Sequence, residues 1–240
     1  MKIALIGYGK MGKAIEQIAK ARGHEICLII GSTNQDDLTS EKLQTADAAI
    51  EFTRPESAVA NYNVCFKAGV PVISGTTGWL NHWGEVVQEM NNQNGTFFYA
   101  SNFSLGVNLF FALNKKLVQL MSTRPEYDVY MEEVHHTQKL DAPSGTAISL
   151  AEDIIAGHPQ KTKWTMETPS SPAEMHIEAI REGQVPGIHR IIYESEVDHI
   201  KIEHSAKSRQ GFAMGAVLAA EFSQGREGVL TMSQLLKLDE

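Results

Sequence analysis

Lys2-Ile3-Ala4-Leu5-Ile6-Gly7-Tyr8-Gly9-Lys10-Met11-Gly12 runs a short apolar stretch straight into a glycine-rich turn. The spacing is G-x-G-x-x-G, after a strand-like run and before a helical one. Met11, Ile15, Ile18 and Ala19 recur at helical period, Gly23 stops the helix, and Glu25–Ile30 reads as a second strand. Strand, turn, helix and strand within about thirty residues make a βαβ unit with a parallel pair. In such a unit Gly7 permits the tight turn, Gly9 lets the backbone approach a pyrophosphate, and Gly12 lets helix and strand pack closely. The helix N–H groups then face the phosphates. Tyr8, Lys10 and Met11 fill the intervening places, so Gly7–Gly12 as a whole is a candidate dinucleotide cradle. A glycine turn without a ligand is the competing reading. The acidic ribose partner expected about 20 residues on is missing from Gly31-Ser32-Thr33-Asn34. Small polar side chains there, Ser32 first, favour NADPH over NADH, although no Arg or Lys clamp accompanies them.

Moving outward, Ala48–Phe52, Val70–Ser74 and Thr96–Ala100 read as further short strands. Thr53-Arg54-Pro55-Glu56 fits a capping box with proline in the first turn of a helix, whose face carries Val59, Tyr62 and Phe66. Trp79–Met90 is a second helical stretch. The alternation predicts an α/β fold: an N-terminal Rossmann-type, doubly wound parallel sheet. Beyond Ser104 the pattern changes. Leu105–Met121 is a long helix with Leu105, Leu109, Leu113, Leu117 and Leu120 on one side, Tyr127–His135 a strand and Ser144–Ala156 a capped helix. Glu174–Arg181, Ile188–Glu194 and Asp198–His204 follow as a meander, with His158–Pro172 a loop before them. These imply a second, α+β domain with a mixed, mostly antiparallel sheet. Gly211–Phe222 and Met232–Leu236 return to helix. The expected division is 1–104, with 210–240 packing back, for the dinucleotide, and 105–209 for substrate binding and oligomerisation.

Composition narrows the class. Lys and Arg number 21 against 29 Asp and Glu, a net charge of −8 in 240 residues with no basic block, which disfavours nucleic acid and anionic membranes as partners. No apolar run reaches the roughly 18–20 residues of a spanning helix, and the opening apolar run is too short for a signal segment. Cys27 and Cys65 have no CxxC spacing, so two thiols in a reducing cytoplasm are expected.

The stretch from Glu133 to Ala147 carries the second set of chemistry. Ser144 is a natural N-cap, and the free N–H groups of Gly145 and Thr146 behind it make a site for an anion, with Lys139 adding positive charge. His135 and His136 end a strand. Adjacent strand side chains point to opposite faces, so the pair is not expected to share a metal, and no metal site is assigned. One of them, or Lys139, is a candidate proton donor. A capped helix with two structural histidines is the plainer reading of the same residues.

Together these motifs resemble the dihydrodipicolinate reductase family, along nearly the whole chain. The resemblance rests on Gly7–Gly12, Phe52-Thr53-Arg54-Pro55, Gly75-Thr76-Thr77-Gly78, Ala100-Ser101-Asn102-Phe103-Ser104 and Glu133–Ala147. It implies NAD(P)H-dependent reduction of 4-hydroxy-tetrahydrodipicolinate, a small dicarboxylate of the diaminopimelate route to lysine, by hydride transfer to ring C4 and protonation at C3. It implies that Phe52, Arg54, Gly75, Thr76, Thr77, Ala100, Ser101, Asn102 and Phe103 line the cofactor, NADPH or NADH. His135 matches the general acid and Lys139 the second proton donor. His136, Lys139, Ser144, Gly145, Thr146 and Arg209 match substrate-binding positions. A homotetramer is the implied assembly. The chain departs from the family pattern in a glycine turn one residue shorter than in many members, in Glu51 where Asp is more usual, and in the absent ribose acid. Another two-domain NAD(P)-dependent dehydrogenase, a dinucleotide sensor without turnover, and a metal hydrolase using the histidine pair are the alternatives. A substrate panel, dispensability of His135 and Lys139, and chelator inhibition respectively would favour them.

Overall fold

Ile3, Ala4, Leu5 and Ile6 offer no polar side chain to either face, and the strand they build has neighbours on both sides. The structure is a computed structural model and describes residues 1–208 and 210–238. The chain divides into two units: one holds Met1–Leu105 and resumes at Gln210, and the other begins at Gly106.

In the first unit β1 (Lys2–Ile6), α1 (Lys10–Ala21), β2 (Glu25–Ile30), α2 (Ser40–Leu43), β3 (Ala48–Glu51), α3 (Pro55–Lys67), β4 (Val72–Ser74), α4 (Trp83–Asn92) and β5 (Thr96–Tyr99) alternate along the chain. The second unit follows with α5 (Leu105–Met121), β6 (Asp128–His135), α6 (Gly145–Gly157), β7 (Lys163–Thr165), β8 (Glu174–Arg181), β9 (Ile188–Glu194) and β10 (His199–Ser205). The chain then returns to the first unit with α7 (Gln210–Phe222), β11 (Gly228–Leu230) and α8 (Met232–Leu236).

The first sheet is six-stranded and parallel throughout, in the order β11-β5-β4-β3-β1-β2. Alternate residues serve opposite faces, as a strand requires. Ile3, Leu5, Ile50, Ile73 and Phe98 pack under α1 and α7, whereas Ala4, Ile6, Ala49, Val72 and Phe97 pack under α3 and α4. Each fully buried Phe or Ile contributes about 1.5–3 kcal/mol over leaving it in water. Both faces are thus covered, and the function-bearing loops are left at the C-terminal strand ends. Gly23 holds φ +82, the left-handed turn that ends α1. The expected capping box at α3 is not formed. Its N-cap is Arg54 with no side-chain cap, and the Thr53 hydroxyl turns instead to the Glu51 carboxylate.

The second sheet runs β10-β9-β6-β8-β7. It is mixed, as expected, but the last three long strands are not a meander. β9 pairs antiparallel with β10 and with β6, while β6 lies between β8 and β9 and pairs parallel with β8. The segment read as a loop contributes β7, parallel to β8. Helices α5 and α6 bury Phe110, Val118, Met121, Leu150, Ala151 and Ile154 against Val129, Met131, Met175, Ile177, Ile191 and Tyr193. The side of α5 that faces this core carries Val107, Phe110, Asn114, Val118 and Met121. Leu109, Leu113 and Leu120 are about half exposed, at 49%, 50% and 59%.

Candidate active site

In the first unit the ends of β1, β3, β4 and β5 deliver Gly7, Phe52, Gly75 and Ala100 to one edge of the parallel sheet. The order in which strands are added switches sides between β1 and β3, with all strands still parallel, and such a switch point is where these sheets bind ligands. Phe52 is the hub. A Cβ on Gly7, which holds φ +97, would lie 2.0 Å from the Phe52 carbonyl oxygen, and one on Gly75 would lie 2.2 Å from its ring. The Phe52 ring also meets Phe103 at 5.7 Å. Gly12 is as tight, since a Cβ there would lie 2.3 Å from the Gly7 carbonyl oxygen. Gly9 is the opposite case. It is the N-cap of α1 with no side-chain cap, and a Cβ on it meets nothing within 4 Å. Open space in front of uncapped helix N–H groups is what a pyrophosphate needs, so these residues fit a dinucleotide.

Around this cradle Tyr8 donates a hydrogen bond to Glu16 and so ties the turn to α1. Lys10, Arg54, Thr77 and Ser101 are exposed, while Met11, Ala100 and Asn102 are half-buried. The buried Thr76 hydroxyl accepts the Thr53 N–H at 2.8 Å, which links the loop after β3 to the loop after β4. Beneath them Glu51, fully buried, accepts from Thr53, from Ser74 at 3.1 Å and from Asn61 at 3.4 Å. Burial pushes its carboxyl above the usual range, against the pull of those hydrogen bonds. After β2, Ser32 and Thr33 are exposed. The Asn34 side chain is committed to its own turn, accepting from Gly31 N–H at 2.7 Å and donating to Ile29 O and Asp37.

The second unit gathers the remaining residues where β6 runs into α6. Ser144 caps α6, its hydroxyl accepting from Ala147 N–H at 3.2 Å, and Gly145 is exposed with Thr146 half-buried beside it. The Ser144 N–H donates to both oxygens of Glu133 at 3.1 Å. Glu133 is fully buried, takes the Arg181 guanidinium at 2.8 Å and lies 3.2 Å from His135 Nδ1. That Nδ1 contact is an ion-pair distance without hydrogen-bond alignment. Burial drives the Glu133 carboxyl upward, but His135, Ser144 and Arg181 together outweigh it and hold it at about 2, so it is a carboxylate. His189 stands edge-on to His135, ring centres 5.2 Å apart, with Nε2 3.1 Å from the Ser144 hydroxyl. Burial first, then the neighbouring His135, push His189 down to about 4. His136 follows the end of the strand, half-buried. Lys139 is gripped by Asp141, whose two oxygens lie 2.9 and 2.8 Å from Nζ, and Arg181 donates to the Asp141 carbonyl at 2.6 Å. Arg209 lies outside the described residues.

Glu133, Arg181 and His189 belong to this site and are absent from the residues expected from sequence. Glu133 had a signal: it stands two before His135 on one strand face. Arg181 and His189 had none, because β6 reaches them only through its pairing with β8 and β9. Glu133, His135 and His189 bring three potential metal-ligating atoms within 4.8 Å of one another. Both Glu133 oxygens already serve donors, and a cation there would face the Arg181 guanidinium.

Two family models match in tandem: the one described as "Dihydrodipicolinate reductase, N-terminus" over residues 1–103, and the one described as "Dihydrodipicolinate reductase, C-terminus" over residues 106–236. A 4-hydroxy-tetrahydrodipicolinate reductase from Christiangramia forsetii is 46% identical over 238 residues, 98% of both chains. Another, from Neisseria meningitidis, is 32% identical over 93% of this chain and 84% of its own. Among solved structures, a dipicolinate-bound dihydrodipicolinate reductase from Paenisporosarcina shares the fold with a TM-score of 0.76 at 20% identity, covering 96% of this chain and 97% of that one. With both family models matched in tandem and a relative 46% identical over 98% of the chain, the chain belongs to the dihydrodipicolinate reductase family and is a dinucleotide-dependent oxidoreductase.

Proposed function

We propose that the chain reduces 4-hydroxy-tetrahydrodipicolinate to tetrahydrodipicolinate with NAD(P)H, a step of the diaminopimelate route to lysine. The observation that carries this reading is the junction of β6 and α6. There a capped helix start, Lys139 and the buried Glu133–His135 pair combine anion binding with a proton donor. The dipicolinate held by the structurally similar reductase is a dicarboxylate of the same class. The first unit holds the dinucleotide, with Gly7–Gly12 at the pyrophosphate, Ser32 toward the ribose, and Phe52, Arg54, Gly75–Thr77 and Ala100–Phe103 along the rest. When bound, the reduced nicotinamide supplies a hydride, which the reaction places at ring C4.

The second unit orients the substrate and supplies the proton. One substrate carboxylate takes the N–H groups of Gly145 and Thr146 and the Lys139 ammonium, displacing Asp141, with His136 and Arg209 completing the binding set. His135 gives the proton to C3, and Lys139 is the second donor. NADPH is favoured over NADH because Ser32 and Thr33 are exposed polar groups at the end of β2. A homotetramer is the proposed assembly, supported by β10 as an open sheet edge and by the half-exposed leucines of α5. Light scattering should then give four times 26.5 kDa. A reducing, cytoplasmic setting accords with free Cys27 and Cys65. Among the described residues no helix is long and apolar enough to cross a membrane, and nucleic acid is not a proposed partner.

The test follows loss of reduced-nicotinamide absorbance with substrate formed in situ by the preceding synthase from pyruvate and aspartate semialdehyde. Turnover is expected with both cofactors, with higher kcat/KM for NADPH. His135→Gln should lower kcat by about 10²–10⁴. Cofactor binding without turnover would overturn the reading in favour of a sensor or a different dehydrogenase.

A further inference from the structure

We propose that Glu133 is a positioning residue for proton transfer, acting through His135. The inference deepens the reading above and rests on His135 as the general acid. The His135 ring has neighbours on three sides. Glu133 Oε2 lies 3.2 Å from Nδ1, the His189 ring stands edge-on at 5.2 Å, and Gly187 runs along the far end, where a Cβ would lie 3.0 Å from Nε2. The ring therefore has a carboxylate end at Nδ1 and, at Nε2, an end that a side chain on residue 187 would crowd and Gly187 does not. A carboxylate 3.2 Å from Nδ1 favours the ring tautomer that carries its proton there, which leaves Nε2 as the nitrogen to face the substrate. In the transfer step the Nε2–H bond breaks and a C–H bond forms at the electron-rich ring carbon. The electron pair of the broken bond stays on Nε2, and the neutral imidazole retains Nδ1–H toward Glu133. The hydride delivered elsewhere on the ring balances the reduction.

The carboxylate is itself pinned. Arg181 binds one oxygen, and the Ser144 N–H bridges both. The same group therefore touches the proton donor and the N-cap N–H just ahead of the helix start proposed to receive the substrate anion. Among the described residues, the neighbouring strands supply further charged and titratable groups. Arg181 from β8 lies opposite His135 in the register, His189 comes from β9, and His204 and Lys139 act electrostatically on His189. Glu133 is the anion at ion-pair distance from the His135 ring.

A kinetic cycle on the whole enzyme tests this. Glu133→Gln should lower kcat by at least about tenfold while the Kd for reduced nicotinamide, bound by the other unit, stays unchanged. Glu133→Asp should recover part of the loss. In a His135→Gln background the Glu133→Gln change should cost less than about twofold, because residues acting as a unit are not additive. Full additivity, with His135→Gln itself slow, would overturn the positioning role and leave the general acid standing. A His135→Gln enzyme at full rate would overturn both. Histidine nitrogen NMR on the unmodified protein gives an answer even if Glu133→Gln does not fold. The neutral ring must carry its proton on Nδ1, and a neutral ring protonated on Nε2 would falsify the proposal.

Discussion

Ser144 uses two atoms for three partners: its hydroxyl oxygen caps α6, the same oxygen meets His189, and its N–H bridges Glu133. Ser144→Ala keeps the N–H and deletes the hydroxyl. The expected result is a loss of about 1 kcal/mol of stability from the missing cap, with a raised KM for the dicarboxylate and a smaller change in kcat, read by chemical denaturation and steady-state kinetics. Removing Glu133 is a heavier change, since it strands the buried Ser144 N–H, at about 1–3 kcal/mol, and takes the carboxylate from Arg181, which keeps the Ile180 and Asp141 carbonyls. The two residues show what the sequence exposed at this scale. Ser144, Lys139 and His135 were legible because a helix cap, a cation and a titratable ring lie within one short run. Arg181 and His189 were not, because strand register alone sets His135 opposite Arg181 and Glu133 opposite His189.

At the scale of elements, the glycine turn and α1 offer a paired test. Gly12→Ala puts a methyl 2.3 Å from the Gly7 carbonyl, backbone against backbone, so α1 must lift off β1. That variant should lose both stability and dinucleotide affinity. Gly9→Ala meets nothing within 4 Å and should melt within about 1 kcal/mol of the parent. Its methyl fills the pyrophosphate space, so the Kd for NADPH should still rise tenfold or more, seen by fluorescence titration. Equal binding by Gly9→Ala and the parent would rule out the cradle. Long, periodic elements such as α1, β6 and α6 were readable from residue pattern. β7 and β11 were not, because three residues hold too little alternation to stand out from a loop. Helix α5 misled in another way. It is apolar on more than one side, and its leucines form the more regular stripe, yet Phe110, Val118 and Met121 are what the sheet covers.

For the whole molecule, pH is the informative variable. His189 is held at about 4, below the ordinary histidine value of 6.5, so the folded protein takes its proton less readily than the unfolded chain. Its contribution is complete above 6.5 and is lost as pH falls through about 4. Glu133, held at about 2 against an ordinary 4.5, adds a loss that begins below 4.5 and is complete only near 2. Melting temperature should therefore fall in two stages on acidification. His189→Asn should flatten the upper stage, worth on the order of 3 kcal/mol, and leave the lower one. An unchanged slope between pH 6.5 and 4 in that variant would place the first stage elsewhere.

The return of α7 and β11 to the first sheet also sets an order in time. Ala213, Ala216, Val217, Ala219 and Ala220 fill the core beneath β1, β3 and β4, and β11 extends the sheet beyond β5. A ribosome making this chain releases the glycine turn well before these residues. The residues of the other unit, contiguous in sequence, emerge before the first core is complete. The nascent dinucleotide sheet must therefore wait with one face lacking α7, and that interval is when a chaperone has most to shield.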